Sequence, residues 1–109
     1  MSEINVKNIF HDIPEKSDEE FLEVLFQNNF LKMERIVSEG HSSPKNFWYD
    51  QDKNEFVLLL SGNAIISFED GNSIELFPGD YFIIPAHKKH RVDYTDPNEK
   101  NVWFTLFFN

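Results

Sequence analysis

Cysteine is absent from this chain of 109 residues, and its absence excludes disulfide bonds, thiolate metal ligands and a cysteine nucleophile. Basic residues are scarce: ten lysines and arginines stand against nineteen aspartates and glutamates, which gives a net charge of −9. A surface of this sign repels nucleic-acid phosphates and anionic membranes. No apolar stretch reaches membrane-spanning length, and the N-terminal residues lack the blocks of a signal peptide. We therefore expect a cytoplasmic protein that binds neither nucleic acid nor membrane.

Aromatic residues, by contrast, are abundant: the chain contains twelve phenylalanines, each of which is large and must be covered. The length allows one globular domain with one core. Within this domain we distinguish an N-terminal lead-in and helix over residues 1–29 from a β-rich part over residues 30–109. The helix prediction rests on Ser17 and Glu20, which match a capping box, and on the apolar residues that follow at helical spacing. The predicted helix spans residues 18–27 and either closes one end of the β-structure or covers an edge.

Short segments of strand character fill the rest of the chain. They are separated by turn signals, of which Asp70-Gly71 is among the strongest known for a hairpin. About eight short strands at close spacing predict an all-β sandwich or barrel. The predicted strands cover residues 30–38, 47–49, 56–60, 64–68, 73–77, 81–84, 90–94 and 102–108.

The last of these strands is apolar on both faces. Phe104 and Leu106 lie on one face, whereas Trp103 and Phe107 lie on the other. A small barrel has only one interior, so the second apolar face needs another cover. We expect this cover to be a second copy of the chain, in a homodimer. The alternative cover is the N-terminal helix.

Two short motifs resemble those of a known family. Glu55, six further residues and Gly62 resemble the end of the first cupin motif, whereas Gly79, five further residues, Pro85 and then His90 resemble the second. The resemblance extends over nearly all of the predicted barrel. It implies an all-β cupin jelly roll, which is an antiparallel β-barrel with its site in the mouth, preceded here by one short helix.

The resemblance also implies a set of metal ligands. The family's usual site combines two histidines and the glutamate of the first motif with the histidine of the second. Carried over to this chain, it places ligands at Glu55 and His90, but no histidine stands at the other two positions. With the commonest spacing those positions fall on Tyr49 and Gln51, and with one residue more before Glu55 they fall on Trp48 and Asp50. The resemblance therefore offers Gln51, Asp50 or Tyr49 as replacement metal ligands. A site of this composition would suit a divalent metal such as Fe, Mn, Ni or Zn.

Two residues are candidates for catalysis. His87 stands where the second motif usually has glycine, and its imidazole could serve as a general base or a replacement ligand; the alternative is an exposed loop histidine. Tyr49 could move a proton or form part of the pocket wall. Basic residues also surround His90 and could draw an anionic small molecule toward the mouth; they are Lys88, Lys89 and Arg91.

Two functions from different classes follow. The first is a metal-dependent isomerase, dioxygenase or lyase that acts on a small molecule in the barrel mouth. The second is a non-catalytic small-molecule binding or sensor module that has lost the metal. Retention of both Glu55 and His90 favours the first function, and the two missing histidines favour the second. Because one barrel can host many reactions, the sequence leaves open whether the protein is an enzyme.

Overall fold

The computed structural model describes residues 3–109, and this part of the chain consists of eight strands joined by turns and loops. No helix within residues 3–109 is long and apolar enough to cross a lipid bilayer. The strands are β1 (Phe21–Gln27), β2 (Leu31–Ser38), β3 (Asn54–Leu59), β4 (Ala64–Phe68), β5 (Ser73–Leu76), β6 (Tyr81–Ile84), β7 (His90–Thr95) and β8 (Asn101–Phe108).

The strands form two antiparallel sheets that face each other. One sheet has five strands in the order β1-β2-β8-β3-β6, and the other has three in the order β5-β4-β7. Because side chains alternate along a strand, each sheet turns every second residue toward the space between the sheets. The buried core in that space consists of Val57, Leu59, Ala64, Ile66, Leu76, Ile84 and Trp103. The predicted antiparallel jelly roll is confirmed.

The predicted helix over residues 18–27 is wrong, because the structure has strand β1 there. The Ser17 hydroxyl donates to the backbone oxygen of Glu19 at 2.8 Å and does not cap a helix. A β-bulge between Val24 and Phe26 shifts the register of β1 against β2. The extra residue breaks the two-residue alternation, so the apolar residues acquire a spacing that imitates a helix. Pairing with β2 outweighs the weak local helix preference.

A buried asparagine joins the turn after β3 to the start of β8. Asn101 is fully buried, and its side-chain oxygen accepts a hydrogen bond from the backbone N–H of Asn63 at 2.9 Å. Its side-chain nitrogen contacts the carbonyl oxygens of Ser38 and Asp96 at 2.9 and 2.8 Å. Gly62, with φ of +94°, packs directly against this side chain. One amide therefore satisfies backbone groups from three segments that would otherwise be buried without partners.

The N-terminal segment is not helical, yet it covers part of the outer face of the five-stranded sheet. Arg35 on β2 is buried, and its guanidinium donates to the carbonyl oxygens of Ile9 at 3.2 Å and His11 at 2.5 Å. The same guanidinium pairs with Glu23 of β1 at 3.0 Å. Other apolar residues of this face stay uncovered, including Tyr81 and Ile83 on β6, which are 69% and 55% exposed.

Candidate functional site

A cavity of about 150 Å³ lies inside the barrel, between the five-stranded sheet and β7. Its walls are built from alternate residues of the central strands, because those side chains point to the interior. The polar residues that line it come from six segments: Glu20, Glu34, Ser38, Tyr49, Gln51, Glu55, His90, Thr95 and Thr105. The apolar lining includes Trp103, Phe107 and Val57.

Glu55 and His90 face each other in this cavity. Glu55 lies near the start of β3 and His90 at the start of β7, and both are buried. The distance from His90 Nε2 to Glu55 Oε1 is 3.6 Å. The other ring nitrogen, Nδ1, lies 2.9 Å from the carbonyl oxygen of Lys88, to which it donates. This bond fixes the ring, so that Nε2 is the atom presented to Glu55 and to the cavity.

The environment of His90 raises its pKa above the ordinary value of 6.5. Burial opposes the charged imidazolium, but the Glu55 carboxylate beside the ring and the hydrogen bond to the Lys88 carbonyl together outweigh that effect. A raised folded-state pKa contributes stability that is fully present below pH 6.5 and is lost as the pH rises through the folded-state pKa. Protonation of His90 therefore favours the folded state.

Exchanging Glu55 for glutamine is expected to lower the pKa of His90, because burial is then opposed only by the hydrogen bond to the Lys88 carbonyl. An NMR titration of the imidazole ring protons would measure this change in the wild type and in Glu55→Gln. Glu99→Gln, which neutralises an exposed carboxylate, is the matched control and should leave the His90 pKa unchanged. Equal His90 pKa values in the wild type and Glu55→Gln would show that the carboxylate does not hold the proton.

Tyr49 and Gln51 also line the cavity. Tyr49 and His90 exchange backbone hydrogen bonds of 2.8 and 3.1 Å in an isolated bridge, and their rings stack with centroids 5.7 Å apart. Burial raises the pKa of the Tyr49 phenol, and the charges of Glu20 and Glu55 add to that effect against a hydrogen bond from Ser43. The phenol therefore stays protonated at neutral pH and can donate a hydrogen bond.

Asp50 and His87 lie elsewhere, as a pair on the exposed rim. Asp50 Oδ1 is 2.9 Å from His87 Nδ1, and the His87 side chain is 69% exposed. His87 has a positive φ of 65°, which suits the glycine that the second motif usually has at this position. Neither residue is among those that line the cavity. The structure thus brings Tyr49, Gln51, Glu55 and His90 together and leaves Asp50 and His87 outside this group.

Two buried oxygen atoms in the lining have no hydrogen-bond partner among residues 3–109. They are Glu55 Oε1 and Thr105 Oγ1, from residues that are 8% and 2% exposed. A buried polar atom without a partner costs about 1–3 kcal/mol, so native proteins rarely leave one without a reason. Both residues line the cavity, and both oxygen atoms are themselves buried.

The sequence analysis missed Glu34 and Thr105. Glu34 is 4% exposed and its carboxylate lies 3.3 Å from the ammonium group of Lys32. It lies opposite Thr105 in the register of β2 and β8. The sequence of β2 places Glu34 on the same face of the strand as Ile36. It does not say whether that face turns toward the interior of the barrel.

A resident metal ion does not fit this set of residues. Within residues 3–109, no third histidine, aspartate or glutamate joins Glu55 and His90 in a cluster that could hold a metal. Divalent metals that proteins retain are ordinarily held by three or more protein ligands. A metal here would depend on the weaker amide of Gln51 and on solvent.

The basic residues around His90 are each paired with an acid. The carboxylates of Asp70, Glu69 and Asp93 neutralise Lys88, Lys89 and Arg91 respectively. None of these three basic residues lines the cavity. The expectation that they draw an anion into the mouth therefore receives no support from their placement.

Comparison with known proteins gives a consistent result. The profile of a family described as "Cupin domain" matches residues 33–107. A candidate mannose-6-phosphate isomerase from Ralstonia eutropha JMP134 is 38% identical, with a TM-score of 0.92, and the match covers 96% of this chain and 98% of that one. A cupin superfamily protein from Desulfitobacterium hafniense DCB-2 is 21% identical, with a TM-score of 0.73, over 88% of this chain and 83% of the other.

The DMSP lyase DddQ from Ruegeria pomeroyi DSS-3 is 18% identical, with a TM-score of 0.71. That match covers 84% of this chain but 48% of the lyase, and identity at this level indicates the fold alone. No curated protein matches the sequence.

Proposed function

Since this chain belongs to the cupin family, we propose that it binds a small polar molecule in the cavity of its barrel, through Glu55 and His90 and without a resident metal. The observation that carries this proposal is the pair of Glu55 and His90 in the cavity wall, where Oε1 of the carboxylate lies 3.6 Å from Nε2 of the imidazole. A carboxylate in that position is ready to accept a hydrogen bond from a ligand. In this proposal the chain acts as a binding or sensor module.

The two side chains have complementary roles. The Glu55 carboxylate accepts a hydrogen bond from a donor group of the ligand. The Nδ1 atom of His90 is already used by the Lys88 carbonyl, so His90 donates through Nε2 to a ligand oxygen when the imidazole is protonated. The Tyr49 ring beside His90 limits how that imidazole can turn. Hydrogen bonds to charged groups are stronger than neutral ones, so this pair would supply most of the polar recognition.

A second candidate function is a metal-dependent isomerase, dioxygenase or lyase. One observation favours it: Nε2 of His90 faces the Glu55 carboxylate while Nδ1 donates to a backbone carbonyl, an arrangement that is common for metal-bound histidine. The name of one similar protein, a candidate mannose-6-phosphate isomerase, points in the same direction. This function would need Gln51 as a further ligand.

Elemental analysis of protein purified without chelator separates the two functions. We expect far less than one equivalent of iron, manganese, nickel or zinc, at the same level in wild type and His90→Ala. Circular dichroism would check that the variant is folded. Near-stoichiometric metal that disappears in His90→Ala would contradict the proposal and establish the second candidate.

A fragment screen by NMR tests the binding site itself. Fragments that bind the wild type are expected to shift the His90 ring resonances, and Glu55→Gln should weaken their binding about tenfold or more, since a charged acceptor is lost. Glu99→Gln, on the exposed surface, should have no effect. If no fragment shifts His90, or if Glu55→Gln leaves binding unchanged, the proposed site is wrong.

We also propose that the protein forms a homodimer through the outer face of the five-stranded sheet. The exposed side chains of Tyr81 and Ile83 continue there into an aromatic cluster in which the Phe56 ring centroid lies 5.6 Å from that of Tyr81 and 6.3 Å from that of Phe104. An apolar sheet face of this kind can pack against its own copy about a twofold axis.

Sedimentation velocity is expected to give a dimer for the wild type and a monomer for the double variant Tyr81→Lys, Ile83→Lys, because four lysines cannot be buried in the twofold contact without partners. Phe30→Lys changes a 73% exposed aromatic residue in the turn after β1 and should remain dimeric. A wild-type protein that sediments as a monomer would contradict the proposal.

A further inference from the structure

A seam separates the barrel cavity from a cleft outside the barrel. One side of this seam consists of residues 17–22, which lead into β1, an edge strand of the five-stranded sheet. The other side is the loop of residues 41–49, in which Ser43 and Tyr49 are hydrogen-bonded to β7. The outer cleft has a volume of about 480 Å³. The seam is the boundary between the two spaces, because residues of both sides line the cavity and the cleft alike. The shared residues are Glu20, Leu22, Tyr49 and Val92.

Of the residues that the structure describes, one pair is hydrogen-bonded across the seam, and His41 belongs to it. Nε2 of the imidazole lies 2.7 Å from the carbonyl oxygen of Ser17, and Nδ1 accepts a hydrogen bond from the backbone N–H of Glu39 at 2.9 Å. Because a carbonyl only accepts and an N–H only donates, these partners select the neutral imidazole with its proton on Nε2. The backbone that carries the ring is held by the Thr95 hydroxyl, which donates to the His41 carbonyl oxygen at 2.6 Å.

Protonation of His41 is incompatible with this pair of contacts. An imidazolium carries a proton on both nitrogen atoms, so the Nδ1–H group would point at the backbone N–H of Glu39, and neither donor would have an acceptor. Relief of that conflict requires the ring to turn about its Cβ–Cγ bond. Such a turn moves Nε2 away from the Ser17 carbonyl, because both nitrogen atoms belong to one rigid ring. A single added proton therefore breaks the hydrogen bond across the seam.

Charged groups on the neighbouring elements face His41. Lys100, which precedes β8, pairs with the Glu39 carboxylate at 2.7 Å. The Glu20 carboxylate lies at the cavity wall and in the outer cleft, close enough to interact with a charge on His41. A displaced imidazolium therefore has a carboxylate to pair with on the far side of the seam. The other titratable groups that line the clefts beside His41 are Lys16, Asp18, Glu19 and Tyr49.

We propose that small molecules reach the barrel cavity through this seam, and that His41 holds the seam closed while its imidazole is neutral and releases it when the imidazole is protonated. The inference rests on the proposed function, because it concerns access to the same cavity. His41 is not among the residues that line the cavity, so it controls entry without binding the ligand. The part that moves is residues 14–20, which form neither helix nor strand. A long contact of 3.4 Å from the Lys100 ammonium group to the Pro14 carbonyl oxygen is its other tie.

Acrylamide quenching of Trp103 fluorescence measures the opening of the seam, because Trp103 lines the cavity and is 5% exposed. Trp48→Phe removes the second tryptophan and is the parent of every variant. The quenching constant of Trp103 is expected to rise about threefold between about pH 8 and about pH 5.5, the range in which histidine changes charge. In His41→Gln, which cannot be protonated, the constant should be equal at both pH values. His11→Gln removes an exposed histidine and should keep the full rise.

NMR of the Glu39 backbone amide reports the same event at the hydrogen bond itself. As the pH falls, the amide proton resonance should move with the midpoint of the His41 ring protons, because the amide loses its acceptor. Over the same pH range this resonance should stay in place in His41→Gln.

Several outcomes would overturn the inference. These are a Trp103 quenching constant that is equal at both pH values, a rise that persists in His41→Gln, and a Glu39 amide that does not follow His41. A rise in His41→Gln would assign the opening to His90 or Glu20. Circular dichroism should be unchanged between the two pH values, and its loss would also contradict the inference, because quenching would then report unfolding. None of these measurements needs a ligand, so the fragment screen can succeed or fail independently of them.

Discussion

Replacing Gly62 with alanine is expected to destabilise the protein by about 3–5 kcal/mol, the largest effect we expect from any single methyl group. Gly62 has a φ of +94°, and a Cβ there would lie 2.6 Å from Asn101 Cγ and 2.9 Å from Asn101 Cα. The second contact is with a backbone atom, so rotation of the Asn101 side chain cannot relieve it. Moving Asn101 would break its hydrogen bonds to Asn63 and Ser38. Urea denaturation would measure the change.

Gly79→Ala is the matched control for this prediction. Gly79 has the same φ of +94°, but nothing lies within 4 Å of the position of a Cβ. Only the cost of a left-handed backbone should remain, about 1–2 kcal/mol. The difference between the two variants then isolates the contact with Asn101. Equal losses in both variants would mean that Asn101 can shift at no cost.

Truncating Trp103 to alanine is expected to cost about 3–5 kcal/mol and to lower the melting temperature by roughly 15–25 °C. Trp103 is 5% exposed and belongs to the main core cluster. Its indole N–H donates to the hydroxyl oxygen of Ser38 at 3.0 Å in a buried site. Because it also lines the ligand cavity, its loss would enlarge that cavity and remove the apolar wall. Calorimetry would measure the melting temperature.

The second tryptophan provides the comparison. Trp48 is half-buried in the loop before β3, so Trp48→Ala should cost about 1 kcal/mol. Ser38→Ala removes the partner of the indole without removing the ring, and should cost about 1–3 kcal/mol. If Trp48→Ala were the more damaging of the two tryptophan substitutions, the assignment of the core would be wrong.

The strands that the sequence predicted well are those with clear alternation and strong turns. The hairpin at Asp70-Gly71 joins β4 to β5. Strand β2 lies where the alternating pattern places it, and β8 lies on the last apolar run of the chain. The error over residues 18–27 arose where the alternation is interrupted. Leu25 is the extra residue of the bulge between Val24 and Phe26, and a bulge depends on the partner strand, which a local pattern does not contain.

The sequence predicted the members of the candidate site that lie in regular strands, and it was ambiguous for those in a loop. Glu55 lies at the second position of β3 and His90 at the first position of β7. The motif spacing from Glu55 to Gly62 and from Gly79 to His90 therefore predicted that the two side chains meet. The loop before β3 was ambiguous, because two registers fitted the motif equally well. The bridge between Tyr49 and His90 turns residues 49 and 51 inward and residue 50 outward. That bridge is a contact distant in sequence, and no local pattern could supply it.

The bulge in β1 has a consequence beyond its register. This strand is the edge of the five-stranded sheet, and several of its apolar side chains are about half exposed, including Leu22 at 49% and Phe26 at 52%. A flat, apolar edge strand is a template on which other chains add and aggregates grow. The bulge bends the strand and offsets its free backbone groups, so an incoming strand cannot form a continuous ladder. The same bulge that made β1 hard to recognise in the sequence therefore opposes the addition of further strands at this edge.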